Sequence, residues 1–150
     1  MGIILSSFKG CGKRTLLASL DHGITGIDCG DIDSETDIDL YIDSALSFNK
    51  KYDFVFVSSE QPVRKRLNER GIDFDLFYPS EERRNELIEG LVKSRVNAKS
   101  IAEFDKRFTK EIQLIDNDDF EHEKKHKLVK KGEFIGNNNL IIQYIISLQE

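Results

Sequence analysis

Ile3-Ile4-Leu5-Ser6-Ser7-Phe8-Lys9-Gly10-Cys11-Gly12-Lys13 stands near the start of the chain, and its reading governs everything that follows. Ile3 to Ser6 form a short buried strand, Ser7 to Gly12 a glycine-bearing turn, and Lys13 begins a helix that runs to about Asp21. A strand, a glycine turn, a lysine and a helix start are what a phosphate-binding loop requires. The glycines let backbone N–H groups approach phosphate oxygens, the helix N-terminus adds a favourable dipole, and the lysine supplies a point charge. The pattern approximates the Walker A spacing G-x-x-x-x-G-K-S/T. It departs twice: Ser7 replaces the first glycine, and Arg14 occupies the place of the magnesium-binding hydroxyl, with Thr15 one position later. On this reading Lys9, Gly10, Cys11, Gly12, Lys13, Arg14 and Thr15 contact the nucleotide phosphates, and Thr15 is a candidate metal ligand. The competing reading is a glycine turn that only connects a strand to a helix. Cys11 reads as a small loop residue rather than a nucleophile.

Outward from this turn, short apolar runs alternate with helical stretches. Gly23-Ile24-Thr25-Gly26-Ile27-Asp28 reads as a second strand ending in acids. Asp33 or Ser34 could cap a helix through Ile38, Tyr41, Ile42, Ala45 and Phe48, which follow helical spacing. The unbroken run Asp53 to Ser59 suggests a strand buried on both faces, as in the middle of a parallel sheet. Pro62 suits the first turn of a helix through Val63 and Leu67 that Gly71 stops. Phe74 to Tyr78 is a fourth strand closed by Pro79. Ser80 could cap the next helix, and helical spacing continues through Leu87, Leu91, Ile101, Phe104 and Phe108. Asn117 to Lys127 reads as a polar surface loop, Leu128 and Val129 as a short last strand, and Leu140 to Leu148 as a final helix after Asn137-Asn138-Asn139. Strand and helix in alternation predict one three-layer α/β domain over residues 1–150, with no repeat and no dividing linker.

The bulk properties fit that picture. With 150 residues, 39% apolar and 33% charged, the chain can bury a sizeable core without covalent staples. A formal charge of −5, with acids and bases mixed, argues against broad attraction to nucleic acid. Cys11 and Cys29 without a secretory signal suggest a reducing, cytoplasmic setting, and the short apolar start predicts no membrane span. Gly2 could mark myristoylation, although Ile3-Ile4-Leu5 is better explained as a strand.

Three stretches resemble the P-loop kinases of small metabolites, the group of adenylate, shikimate and gluconate kinases, and most of all short nucleotide-kinase-like proteins of bacteriophages. Their loop reads approximately F-P-G-C-G-K-S-T, against Phe8-Lys9-Gly10-Cys11-Gly12-Lys13-Arg14-Thr15 here. Their third strand ends in V-S-S before V-R, like Val57-Ser58-Ser59 and Val63-Arg64, and a G-I-x-F-x-L-x-Y-P stretch matches Gly71 to Pro79. The resemblance implies a P-loop NTPase fold, with a five-stranded parallel sheet in the order 2-3-1-4-5 flanked by helices. It implies a transferase that passes a phosphoryl group from ATP, with Mg2+, to a small acceptor such as a nucleoside or deoxynucleoside monophosphate. A phage-encoded protein of this kind would work in the host cytoplasm. The same resemblance implies a lid-like segment over about 80–117. It sets Asp28 in a D-x-D element whose second acid is missing or shifted to Asp31, Arg95 as a lid arginine, and Gly90 where another arginine is expected.

Each candidate role has a plainer counterpart. Lys13 would hold the transferred phosphate, Asp28 would position magnesium or an acceptor hydroxyl, Asp31 could serve as a base, and Arg95 would close over the site. Arg83 and Arg84 could join Arg95, or belong to a solvated helix face paired with Glu81, Glu82 and Glu86. Likewise, Asp28 and Asp31 could belong to a solvated acidic loop. His22, His122 and His126 lack convincing metal spacing. The lysines at 124, 125, 127, 130 and 131 read as solvated surface before they read as a nucleic-acid patch.

Overall fold

Strand β3 (Phe54–Val57) is buried at every residue, and its side chains alternate between two cores. Val55 and Val57 enter one with Ile4, together with Ile42 and Ala45 of helix α2 (Ile38–Asn49) and Val63 and Leu67 of α3 (Gln61–Glu69). Phe54 and Phe56 enter the other with Leu5 and Leu16, the latter from α1 (Lys13–Ser19). That second core also takes Leu87 and Leu91 of α4 (Arg84–Lys93), Phe104, Phe108 and Ile112 of α5 (Ala98–Asn117), and Ile141 of α6 (Asn139–Leu148). The sheet is therefore sandwiched between helices, as the alternating pattern predicts. The computed structural model describes residues 2–21 and 23–149, so His22 lies outside the described residues.

The remaining strands are β1 (Ile3–Ser7), β2 (Gly26–Asp28), β4 (Phe74–Pro79) and β5 (Glu123–Leu128). All pairings are parallel and the order is β2-β3-β1-β4-β5, which matches the expected topology. Ile4 lies opposite Val55, and Ser6 opposite Leu76. β1 is thus the central strand, and its carboxyl end emerges between those of β3 and β4. In open parallel sheets the connections diverge at such a point and leave a crevice where ligands bind. No helix among the described residues is long and apolar enough to cross a membrane.

Several local expectations are corrected. The acidic loop before α2 is capped by Asp37, which accepts from the Leu40 amide at 3.1 Å, and not by Asp33 or Ser34. Asp33 instead folds its own turn, accepting from the Glu35 amide at 2.9 Å. Asn117 to Lys127 is not a surface loop: Asn117 ends α5, and β5 occupies Glu123 onward while Val129 lies outside it. The residues of β5 look unlike a strand because it is a sheet edge whose charged side chains find partners. Glu123 meets Arg64, His126 meets Asp75, and Lys127 meets Asp116. The long helical stretch after Ser80 is a 3-10 turn (Glu81–Arg83), then α4, a break, and α5. Both helices bury an apolar face in the main core.

Candidate functional site

The loop between β1 and α1 takes its shape from two glycines and three anchors. Gly10 and Gly12 have φ of 90° and 95°, a left-handed conformation that a side chain disfavours. A Cβ on Gly12 would also come within 3.1 Å of the Phe134 Cβ. The anchors are the Phe8 amide on the Phe77 carbonyl (2.9 Å), the Cys11 amide on the Phe8 carbonyl (3.3 Å), and the Ile135 amide on the Cys11 carbonyl (3.0 Å). The amides of Gly10, Gly12, Lys13, Arg14 and Thr15 find no acceptor among the described residues. Five N–H groups of the turn and the first helical turn are thus left for solvent or a ligand. Cys11 differs from its neighbours because its amide is already engaged. Lys9, Arg14 and Thr15 are exposed around this turn.

The Cys11 side chain points into the core, 2% exposed, and burial pushes its thiol up to about 12. Cys29 is half-buried, and burial aided by the Asp28 charge raises its thiol to about 11. Neither is a thiolate at neutral pH. Iodoacetamide at pH 8 should therefore leave Cys11 unmodified in the folded protein and label it once denatured. Rapid native labelling of Cys11, read by intact mass, would contradict the burial.

Asp28 ends β2 and faces the loop. Its Oδ2 lies 2.9 Å from the Lys13 Nζ, and its Oδ1 accepts from the Gly30 amide at 2.9 Å. The two side chains remain 26% and 35% exposed, so this pair is worth at most about 1 kcal/mol and can be exchanged for another anion. The structure thus joins Lys13 and Asp28 but not Asp31, which is exposed and acts on its surroundings through its charge.

Among the described residues Arg95 makes no hydrogen bond or ion pair with the loop. It is exposed at φ 60°, the residue just past the C-cap of α4. Its amide donates to the Val92 carbonyl (3.0 Å) and the Val96 amide to that of Leu91 (3.1 Å), a Schellman ending whose left-handed position favours glycine. Arg95→Gly should therefore hold or raise stability by about 1 kcal/mol, measured by urea unfolding. A clear loss would mean that the side chain holds the helix end. With stability retained, any loss of function in the variant would belong to the guanidinium itself.

Two arginines of the sequence pattern turn out to be structural. Arg83 is buried, not solvated: it forms a two-pronged pair with Glu86, donates to the carbonyls of Leu128 and Glu133, and lies over the Phe134 ring. Arg64 is 1% exposed and spends its three nitrogens on the Ser59 carbonyl (2.7 Å), Glu123 (2.9 Å) and Asp118 (2.9 Å). Arg84 pairs with Asp105 at the surface. His122 and His126 sit against separate aspartates, Asp73 and Asp75. Two of the five clustered lysines are engaged within the protein, since Lys125 reaches the Asp118 carbonyl and Lys127 reaches Asp116.

Comparison of the chain with protein-family models gives no match. None of the curated proteins compared with it matches either.

Sequence reading missed the hydroxyl of Tyr41 as a site element. It donates to the Gly30 carbonyl (2.6 Å) and accepts from the Ser58 amide (2.9 Å), linking the ends of β2 and β3. Its helical spacing had marked it only as a core position. Also missed were Glu60 and Glu111, which line a cavity of ≈ 370 Å³ beside Phe8 of the loop. Burial, then the charges of Asp31 and Glu111, hold the Glu60 carboxyl above the usual range, and burial does the same to Glu111.

Proposed function

We propose that the chain binds the phosphates of ATP on the β1–α1 loop and transfers the γ-phosphoryl group to a small acceptor of the nucleoside or nucleotide class. The observation that carries this reading is the loop itself. Five amides without acceptors surround a lysine at the carboxyl edge of the central strand, where α/β sheets receive ligands. In this reading the acceptor hydroxyl oxygen bonds to the γ-phosphorus while the bond to the β–γ bridging oxygen breaks, its electron pair leaving on ADP. Asp28 orients the hydroxyl, and Asp31 takes its proton. Lys13 neutralises the phosphate charge, and Arg95 approaches from the end of α4. Such transfer depends on positioning and charge neutralisation more than on covalent help from the protein.

Among the described residues no three His, Cys, Asp or Glu side chains form a metal cage. Magnesium carried on a triphosphate needs only one or two protein oxygens, and Asp28 and Thr15 would offer them. Its contribution would be to neutralise the β and γ oxygens.

A second reading, nucleotide binding without transfer, is favoured by Arg14 in the place of the metal-binding hydroxyl and by the engagement of both Asp28 oxygens. One experiment separates them. The protein is incubated with ATP, with magnesium or a chelator, and a panel of nucleosides and monophosphates, and ADP and phosphorylated acceptor are measured. Turnover supports transfer, and tight ATP binding without turnover supports the binding module. No ATP binding under either condition refutes both.

A further inference from the structure

The cavity beside the loop has a composition that restricts what can enter it. It lies between the turn after β3 and the carboxyl half of α5, with Phe8, Pro62, Leu114 and Ile115 as its apolar wall. Its volume of ≈ 370 Å³ falls at the small end of the range for small-molecule sites. The Phe8 ring is held edge-on by Phe104 and Phe108, at centroid distances of 5.9 and 5.7 Å, so it is a fixed surface rather than a mobile one.

The polar lining is what decides the ligand. The one cationic side chain in the wall is Arg64, and all three of its nitrogens are already bound inside the protein. The Gln61 amide is likewise given to Asp118, at 3.0 Å. What remains is Glu60 and Glu111, with Glu111 close enough for its charge to act on Glu60; the exposed Arg107, outside the lining and 3.4 Å from Glu103, is an opposing charge that both carboxylates feel. A phosphate brought here would meet like charge and no free guanidinium in the wall itself, a juxtaposition that disfavours phosphorylated ligands.

We propose that this cavity is the acceptor site and that the acceptor carries no phosphate: it is a neutral or cationic molecule with an aromatic or apolar body that presents hydroxyl or amino donors to Glu60 and Glu111. This rests on the phosphoryl-transfer reading and narrows it. The nucleotide occupies the loop and supplies all the phosphate charge, while the acceptor packs against the apolar wall of Pro62, Leu114 and Ile115 and offers its hydroxyl towards the loop.

The test compares matched pairs on the whole chain. The four deoxynucleosides and their 5′-monophosphates are titrated by calorimetry in the presence of a non-hydrolysable ATP analogue, whose own binding is measured first. The expected result is a deoxynucleoside bound at least about tenfold tighter than its monophosphate, which corresponds to ~1.4 kcal/mol. In Glu60→Gln/Glu111→Gln the ratio should fall towards one, and the single Glu111→Gln change should move it in the same direction should the double variant fold poorly. A preference for monophosphates, binding of neither class, or a ratio that ignores both substitutions overturns the inference. Failure of the ATP analogue to bind instead overturns the reading on which it rests.

Discussion

Arg64→Met is expected to lower the stability of this domain by about 3–5 kcal/mol, because it leaves two buried carboxylates without their cation. Glu123 has a fully buried side chain and Asp118 one that is 10% exposed, and the guanidinium contacts both at 2.9 Å. One Glu123 oxygen, Oε1, has no hydrogen-bond partner, so its charge depends on this single neighbour. The three charges also tie α3 to β5 and to the segment before it, and Phe120 covers the guanidinium at 5.7 Å. Chemical denaturation of wild type and variant measures the loss. Adding Glu123→Gln and Asp118→Asn to Arg64→Met should recover a large part of it, since the penalty comes from unpaired charge rather than lost volume. A loss of less than about 1 kcal/mol in the single variant would show that water reaches the pair.

Lys13→Ala and Asp28→Asn are expected to move ATP affinity in opposite directions. Lys13 supplies the charge at the helix mouth, and a hydrogen bond to a charged group is worth about 1.5–3 kcal/mol, so its removal should weaken binding by roughly ten- to a hundredfold. Asp28 holds the same ammonium at 2.9 Å and presents a negative charge where phosphate would arrive. Asp28→Asn should release Lys13 and strengthen ATP binding several-fold while abolishing turnover, because the carboxylate that orients the acceptor is gone. Isothermal titration together with ADP release reads both effects. If Asp28→Asn weakens binding as Lys13→Ala does, Asp28 supports the loop rather than competing with the ligand. If neither variant changes binding, the loop is only a connection.

The parts of the fold that could be read from the chain are those governed by apolar patterning. β3 is a continuous apolar run because it is covered on both faces, β1 and β4 are largely apolar for the same reason, and α3, α4 and α5 show their buried stripes at helical spacing. β5 was hidden because an edge strand needs only one covered partner, and its Lys, His and Glu side chains are satisfied by residues 11 to 59 positions away. No local pattern reveals such pairings. The same holds for Arg64 and Arg83, which look like surface arginines on amphipathic helices until the segments they grip are brought beside them. Of the site, Gly10, Gly12 and Lys13 were legible because a left-handed turn before a helix has a local signature. Lys13 and Asp28 could be linked only through the family resemblance, and Glu60 with Glu111 not at all. Their meeting depends on a helix more than fifty residues further along.

The hydrogen bond from Ile135 to the Cys11 carbonyl, together with the Phe134 contact at Gly12, has a consequence for how the protein is made. The glycines of the turn are made long before Ile135, yet the turn cannot close on its final support until the chain has grown past that residue. Contacts so distant along the chain form late, after the entropy of closing the long intervening segment has been overcome. A nascent chain therefore carries an unfinished site until that distant support has been made.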